Sequence, residues 1–128
     1  MVYRIYLVDD DRFLLDLYAV KFKDAGHEVS AFSNGEDLLC ALRKTDATAP
    51  DAILLDVIMQ GISGFEALEA IRKENLAKGT KIIILSNQSK DSDIQRAKQL
   101  AVDGYIIKAS AIPSEVFDET LRIVAGNQ

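Results

Sequence analysis

The chain has 128 residues, 48% of them apolar and 27% charged, with a formal charge of −5 and one cysteine. That is enough for one domain with a packed core, and no run approaches the ~18 apolar residues that a bilayer-spanning helix needs. The acidic balance argues against direct nucleic-acid binding, which needs clustered Lys and Arg, and the lone Cys40 excludes an internal disulfide framework.

The start of the chain lacks the basic-then-apolar pattern of a secretory signal. With a single thiol, a reducing cytoplasmic setting and no membrane partner are the expectation. Repeats, low-complexity segments and linkers are absent, so residues 1–128 read as one domain.

Tyr3 to Val8 is the first predicted strand, and it runs straight into Asp9, Asp10 and Asp11. Three adjacent carboxylates repel one another unless a cation or solvent intervenes. Helix capping could use Asp11 or Asp10, but not all three. A helix follows from about Arg12 to Ala25, with Leu14, Leu17, Tyr18 and Phe22 spaced as one apolar face and Gly26 as its stop. His27 sits at the next turn as a solvated loop residue. Glu28 to Phe32 reads as an edge strand, and Ser33-Asn34-Gly35 as a turn. The second helix covers about Glu36 to Lys44 with Leu38, Leu39 and Leu42 inward and Cys40 as a small packing residue. Thr45 to Pro50 is a loop.

The third strand, Ala52 to Leu55, ends at Asp56. A helix from about Gly64 to Asn75 then carries Phe65, Leu68 and Ile71 on one face. Lys81 to Leu85 is a continuous β-branched run, hence a central strand, ending at Ser86; Asn87 to Ser89 is a polar loop. The fourth helix, about Lys90 to Leu100, has only Ile94, Ala97, Leu100 and Ala101 to bury, so loose packing is expected. The fifth strand, Tyr105 to Ile107, ends at Lys108. The last helix starts near Pro113, with Val116, Phe117, Thr120, Leu121 and Val124 inward.

Five strands alternating with five helices predict a three-layer α/β domain around a parallel sheet. In such a sheet the strand ends share one edge, where open α/β folds place their chemistry. Asp9, Asp10, Asp56, Ser86 and Lys108 therefore converge. Taken singly, each could be an ordinary cap or surface group. Together, at about 4 Å and an effective dielectric near 20, each carboxylate pair repels by about 4 kcal/mol. One lysine does not offset three carboxylates; a hard divalent cation with oxygen ligands does, and Mg2+ suits that set. A carboxylate beside such an ion and an ammonium is equipped to accept a phosphoryl group.

These residues resemble the receiver domain of two-component response regulators, the CheY-like family. The resemblance covers essentially the whole chain. It rests on Leu7-Val8-Asp9-Asp10, on Asp56 with Gly64 eight residues later, on Ile84-Leu85-Ser86, and on Gly104-Tyr105-Ile106-Ile107-Lys108. It implies a doubly wound, flavodoxin-like sheet of order 2-1-3-4-5. It further implies that Asp56 is the phosphoacceptor, converted to an aspartyl phosphate, and that Asp9 and Asp10 are the acidic Mg2+ pair with the backbone carbonyl of Ile58 as a further ligand. Ser86 resembles the switch hydroxyl, Tyr105 the switch aromatic and Lys108 the phosphate-contacting lysine. The implied donor is a sensor histidine kinase or a phosphotransfer protein. The implied output is the face made by the fourth helix, fifth strand and fifth helix, offered to a downstream effector or a second receiver copy. Asp10-Asp11 is the other possible acidic pair, and Asp9-Asp10 is preferred because the first strand ends cleanly at Val8. Two positions depart from the family pattern. Gln60 and Ala109 stand where proline is usual, the latter in a cis bond that costs ~2.5–4 kcal/mol without proline.

The sequence weighs against the rival readings. A binding module of this fold that signals without phosphorylation would be free to lose the acids or the lysine, and none is lost. A dehalogenase-like phosphatase needs a second acid two residues after its nucleophile, where Ile58 stands. A phosphate-cradling NTPase needs a glycine-rich loop ending in Gly-Lys, which the chain lacks.

Overall fold

Period-two burial sets the architecture. The computed structural model describes residues 1–44, 48–87 and 90–126. The elements are β1 (Arg4–Val8), α1 (Arg12–Asp24), β2 (Glu28–Phe32), α2 (Gly35–Arg43), β3 (Ala52–Leu55), α3 (Gly64–Lys73), β4 (Lys81–Ser86), α4 (Asp91–Gln99), β5 (Gly104–Ile107) and α5 (Pro113–Val124). The strands are parallel and ordered β2-β1-β3-β4-β5, as expected.

Successive strand residues face opposite layers. Ile5, Leu7, Leu54, Ile83 and Leu85 pack with Leu15, Tyr18, Phe22, Val116 and Ile123 of α1 and α5. Tyr6, Val8, Ile53, Leu55, Ile82 and Ile84 pack with Leu38, Leu39, Phe65, Leu68, Ile71 and Ala97 of α2, α3 and α4. β3 is buried along its whole length, and the edge strand β2 is mostly exposed.

One expected inward stripe shifts by a position, and others differ at single residues. On α1 the buried set is Leu15, Tyr18, Ala19 and Phe22; Leu14 is half-buried, and Leu17 is 40% exposed. Both stripes have helical spacing, and the buried one is the stripe that meets Ile5, Leu7 and Leu54 of the sheet. On α5 Ile123 joins Val116 and Thr120 in the interior, while Phe117, Leu121 and Val124 are half-buried at its margin. Ala101, expected on the buried side of α4, is exposed and adopts φ 58° beyond the helix end. Cys40 is exposed, not a packing residue. His27 is half-buried: its Nδ1 accepts the Tyr3 N–H at 3.0 Å and its ring stacks on Tyr3.

No cis peptide occurs among the described residues, so Lys108-Ala109 is trans and a single 3₁₀ turn, Lys108–Ser110, follows β5.

Candidate functional site

Register brings the acids together. Val8 pairs with Leu55 across β1 and β3, so Asp9 and Asp56 follow at the same level on neighbouring strands, ~4.8 Å apart by sheet spacing. Ser86 pairs with Ile107, and Lys108 comes one residue later. The third aspartate of the triplet is separated from the other two by its role. Asp11 caps α1 by accepting the Leu14 N–H at 3.2 Å, while its own N–H donates to Asp9 Oδ1 at 2.9 Å. Asp10 is exposed and accepts the Gln60 N–H at 3.2 Å.

Asp9, Asp10 and Asp56 can each bring one carboxylate oxygen within 4.8 Å of the others. Asp9 and Asp56 are 3% and 7% exposed, too little for water to screen their repulsion. Lys108 Nζ donates to Asp9 Oδ2 at 2.6 Å and stands 3.4 Å from Asp56 Oδ2. Burial and then the charge on Asp9 push the Asp56 carboxyl up to about 6, against the pull of Lys108. For Lys108, burial lowers the ammonium, but the bond to Asp9 and the charge of Asp56 outweigh it and hold it above the ordinary lysine range. The three acids and Lys108 leave two negative charges in excess, and an all-oxygen donor set of this charge fits a hard divalent ion such as Mg2+.

The site is a cavity of about 290 Å3 lined by these residues with Ile58, Ser86 and Asn87. Ile58 is 60% exposed between buried Val57 and Met59, so it stands at the rim. Ser86 is buried and Tyr105 half-buried, and their hydroxyls share a hydrogen bond. Burial first, then the Asp93 charge, raises the Tyr105 phenol above its usual range. Gly64 fixes the other side of Asp56. A Cβ there would lie 2.1 Å from the Asp56 carbonyl oxygen, so only glycine permits this approach.

All seven residues singled out from the sequence lie at this end of the sheet; Asp11 alone leaves the triplet to cap α1. Sequence reading passed over Asn87 in the lining and the Gln60 amide on Asp10. Asn87 was legible as the residue after a strand end; a backbone donor carries no side-chain signal.

Comparison with known proteins agrees with this geometry. The family model of the response regulator receiver domain matches residues 5–116. The chain is 31% identical over 120 residues to the transcriptional regulatory protein AfsQ1 of Streptomyces coelicolor, covering 94% of this chain and 50% of AfsQ1. The chain spans about half the length of the curated relatives it matches, 50% and 44% of two of them. Among solved structures it is similar to Vibrio cholerae chemotaxis protein CheY4, with TM-score 0.83, 25% identity and coverage of 96% and 99% of the two chains. It is also similar to Thermotoga maritima response regulator TrrA in complex with Mg2+ and BeF, with TM-score 0.75, 29% identity and coverage of 95% and 98%. The chain therefore belongs to the response regulator receiver domain family of two-component systems.

Proposed function

We propose that residues 1–128 form one phosphorylatable receiver unit, in which Asp56 takes a phosphoryl group from a phosphohistidine of a histidine kinase or phosphotransfer protein. The observation that carries this reading is the meeting of buried Asp56 with two further carboxylates and with Lys108 Nζ at 3.4 Å. In the transfer, an Asp56 carboxylate oxygen bonds to phosphorus as the donor's P–N bond breaks, and the bonding pair stays on the imidazole. Asp9, Asp10, Asp56 and the Ile58 carbonyl would hold Mg2+, which when bound supplies positive charge against the phosphoryl oxygens. Lys108, anchored on Asp9, is placed to contact one of those oxygens, and the Ser86 hydroxyl can donate to another. The complex of TrrA with Mg2+ and BeF, found for a chain of the same fold, supports this assignment.

Signalling then runs through the pair behind the site. A Ser86 hydroxyl drawn to a charged phosphoryl oxygen gains about 1.5–3 kcal/mol and gives up its bond to Tyr105. That change biases the face of α4, β5 and α5 toward a second arrangement. The effector or second receiver copy binds there, as a population shift bounded by that energy.

Acetyl phosphate with Mg2+ should add one phosphoryl group by intact mass, and EDTA should abolish the addition. Asp56→Asn should fold and stay unmodified. Modification of that variant at the wild-type rate would refute the reading.

A further inference from the structure

We propose that the backbone N–H of Gln60 is a positioning group that holds the Asp10 carboxylate in place for the divalent cation. The inference rests on the reading above, in which Asp9, Asp10 and Asp56 are the ligands. It adds a device that the usual proline at this position would lack, because proline has no N–H.

Asp10 is the exposed member of the cluster. Asp9 is tied to Lys108 and to the Asp11 amide, and Asp56 is walled in by burial. Repulsion from these two drives an exposed carboxylate outward into water. The Gln60 N–H, 3.2 Å from Asp10 Oδ2, opposes that. Among the described residues it is the one hydrogen-bond donor to the Asp10 side chain. The bond joins loops fifty positions apart, after β1 and after β3.

The donor is itself held. Val57 and Met59 are 7% and 8% exposed, so the loop is anchored on alternate side chains up to Gln60. Beyond it, Gly61 turns the chain at φ 81°, and the Gly64 N–H donates to the Val57 carbonyl at 2.8 Å. One carboxylate offers about four acceptor positions, so an amide on Oδ2 leaves others for the cation. Holding a ligand in its bound orientation before the ion arrives raises affinity, because that ordering is no longer opposed at binding.

Gln60→Pro deletes the N–H, and Gln60→Ala keeps it while removing the side chain. Isothermal calorimetry with magnesium chloride should show Gln60→Pro binding roughly three- to tenfold more weakly, the range of one charge-assisted bond discounted for exposure. Gln60→Ala should match the wild type. A second measurement needs no metal and no proline. Amide hydrogen exchange at Gln60 in the metal-free protein should speed up about fivefold or more in Asp10→Ala. Equal magnesium affinity in a folded Gln60→Pro, or an exchange rate indifferent to Asp10→Ala, overturns the inference and leaves the site reading standing. A wild type that takes up no magnesium overturns both. In that case the exchange result shows whether the bond exists apart from the site.

Discussion

Charge at single residues governs the stability of the metal-free molecule, and the two sides of the buried pair act in opposite directions. Asp56 titrates at about 6 in the fold against an ordinary 3.8, so the fold favours its protonated form. Its stabilising contribution is fully present below about pH 4 and is lost as the pH rises through about 6. The ionised carboxylate therefore costs about 3 kcal/mol at neutral pH. In EDTA at pH 7.5, Asp56→Asn should raise the unfolding free energy by about 2–3 kcal/mol, a gain that disappears at pH 4. Denaturant titration at the two values checks it. Lys108→Met should do the reverse, costing about 3–5 kcal/mol, because it leaves Asp9 and Asp56 buried without a cation. Added Mg2+ should return part of that loss. At the rim, Ile58 lines the cavity that holds Asp56; with Ile58 as a shield over the phosphoryl group, Ile58→Asn should shorten the lifetime of the phosphorylated state severalfold, read as decay of the modified mass. The family resemblance implies that Gln88, two residues after Ser86, also borders an attacking water; it lies outside the described residues. Asp9, Asp10, Asp56, Ser86 and Lys108 were legible because the strands end abruptly where apolar residues give way to a polar one, whereas Ile58 and Tyr105 entered only through the family resemblance. The partition of the aspartate triplet was open between two registers, because capping and metal binding ask for the same side chain; the Leu14 amide on Asp11 marks that residue as the cap. The exposure of Cys40 was not legible, since a small residue inside a helical stretch fits either side.

Among the elements, α4 differs most from its neighbours. It buries Ala97 alone, in line with the loose packing expected of its sequence, and its Lys90 start has no side-chain cap. Polar groups from α3 hold it instead. Arg96 pairs with Glu69 at 2.9 Å and lies 4.8 Å from the Phe65 ring, while Arg72 donates to the carbonyls of Leu100 and Ala101 at 3.0 and 3.1 Å. These ties reside in the partner helix, so the periodicity of α4 itself could not reveal them. Arg72→Ala should raise amide exchange across the last turn of α4, leaving the four residues after Asp91 unchanged; uniform exchange throughout α4 would contradict this local role. Global stability should fall by only about 1 kcal/mol, as for other half-exposed polar contacts. The one-position shift of the α1 stripe has a similar origin. Leu14, Leu15, Leu17, Tyr18 and Ala19 satisfy two helical faces, and the sheet selects one of them. The exposed Phe13, Leu17 and Val20 are the remainder.

Across the whole molecule, the two-residue period of the strands separates two tasks. Asp9, Asp56 and Lys108 meet in one group at the sheet edge, and Ser86 with Tyr105 form the second pair, which adjoins the layer of α4. The three-layer arrangement around a parallel sheet was readable because five strands alternate with five helices and β1, β3 and β4 carry apolar residues on both faces, while the strand order came from the family resemblance. The hydrogen bond between Ser86 and Tyr105 was not readable, since a hydroxyl–hydroxyl contact across neighbouring strands leaves no mark on sequence periodicity. In the proposed switch, beryllofluoride with Mg2+ should move the backbone resonances of Ser86, Tyr105 and α4 as well as those around Asp56; shifts confined to the loops around Asp56 would leave the site without an output. The claim beneath all of this is that Asp56 carries the phosphoryl group. Borohydride reduces an aspartyl phosphate to homoserine, so peptide mass mapping after acetyl phosphate, Mg2+ and borohydride reads the modified position directly. The account predicts homoserine at position 56 and none in an EDTA control. Homoserine at position 9 or 10, or a modified protein with Asp56 intact, would contradict it.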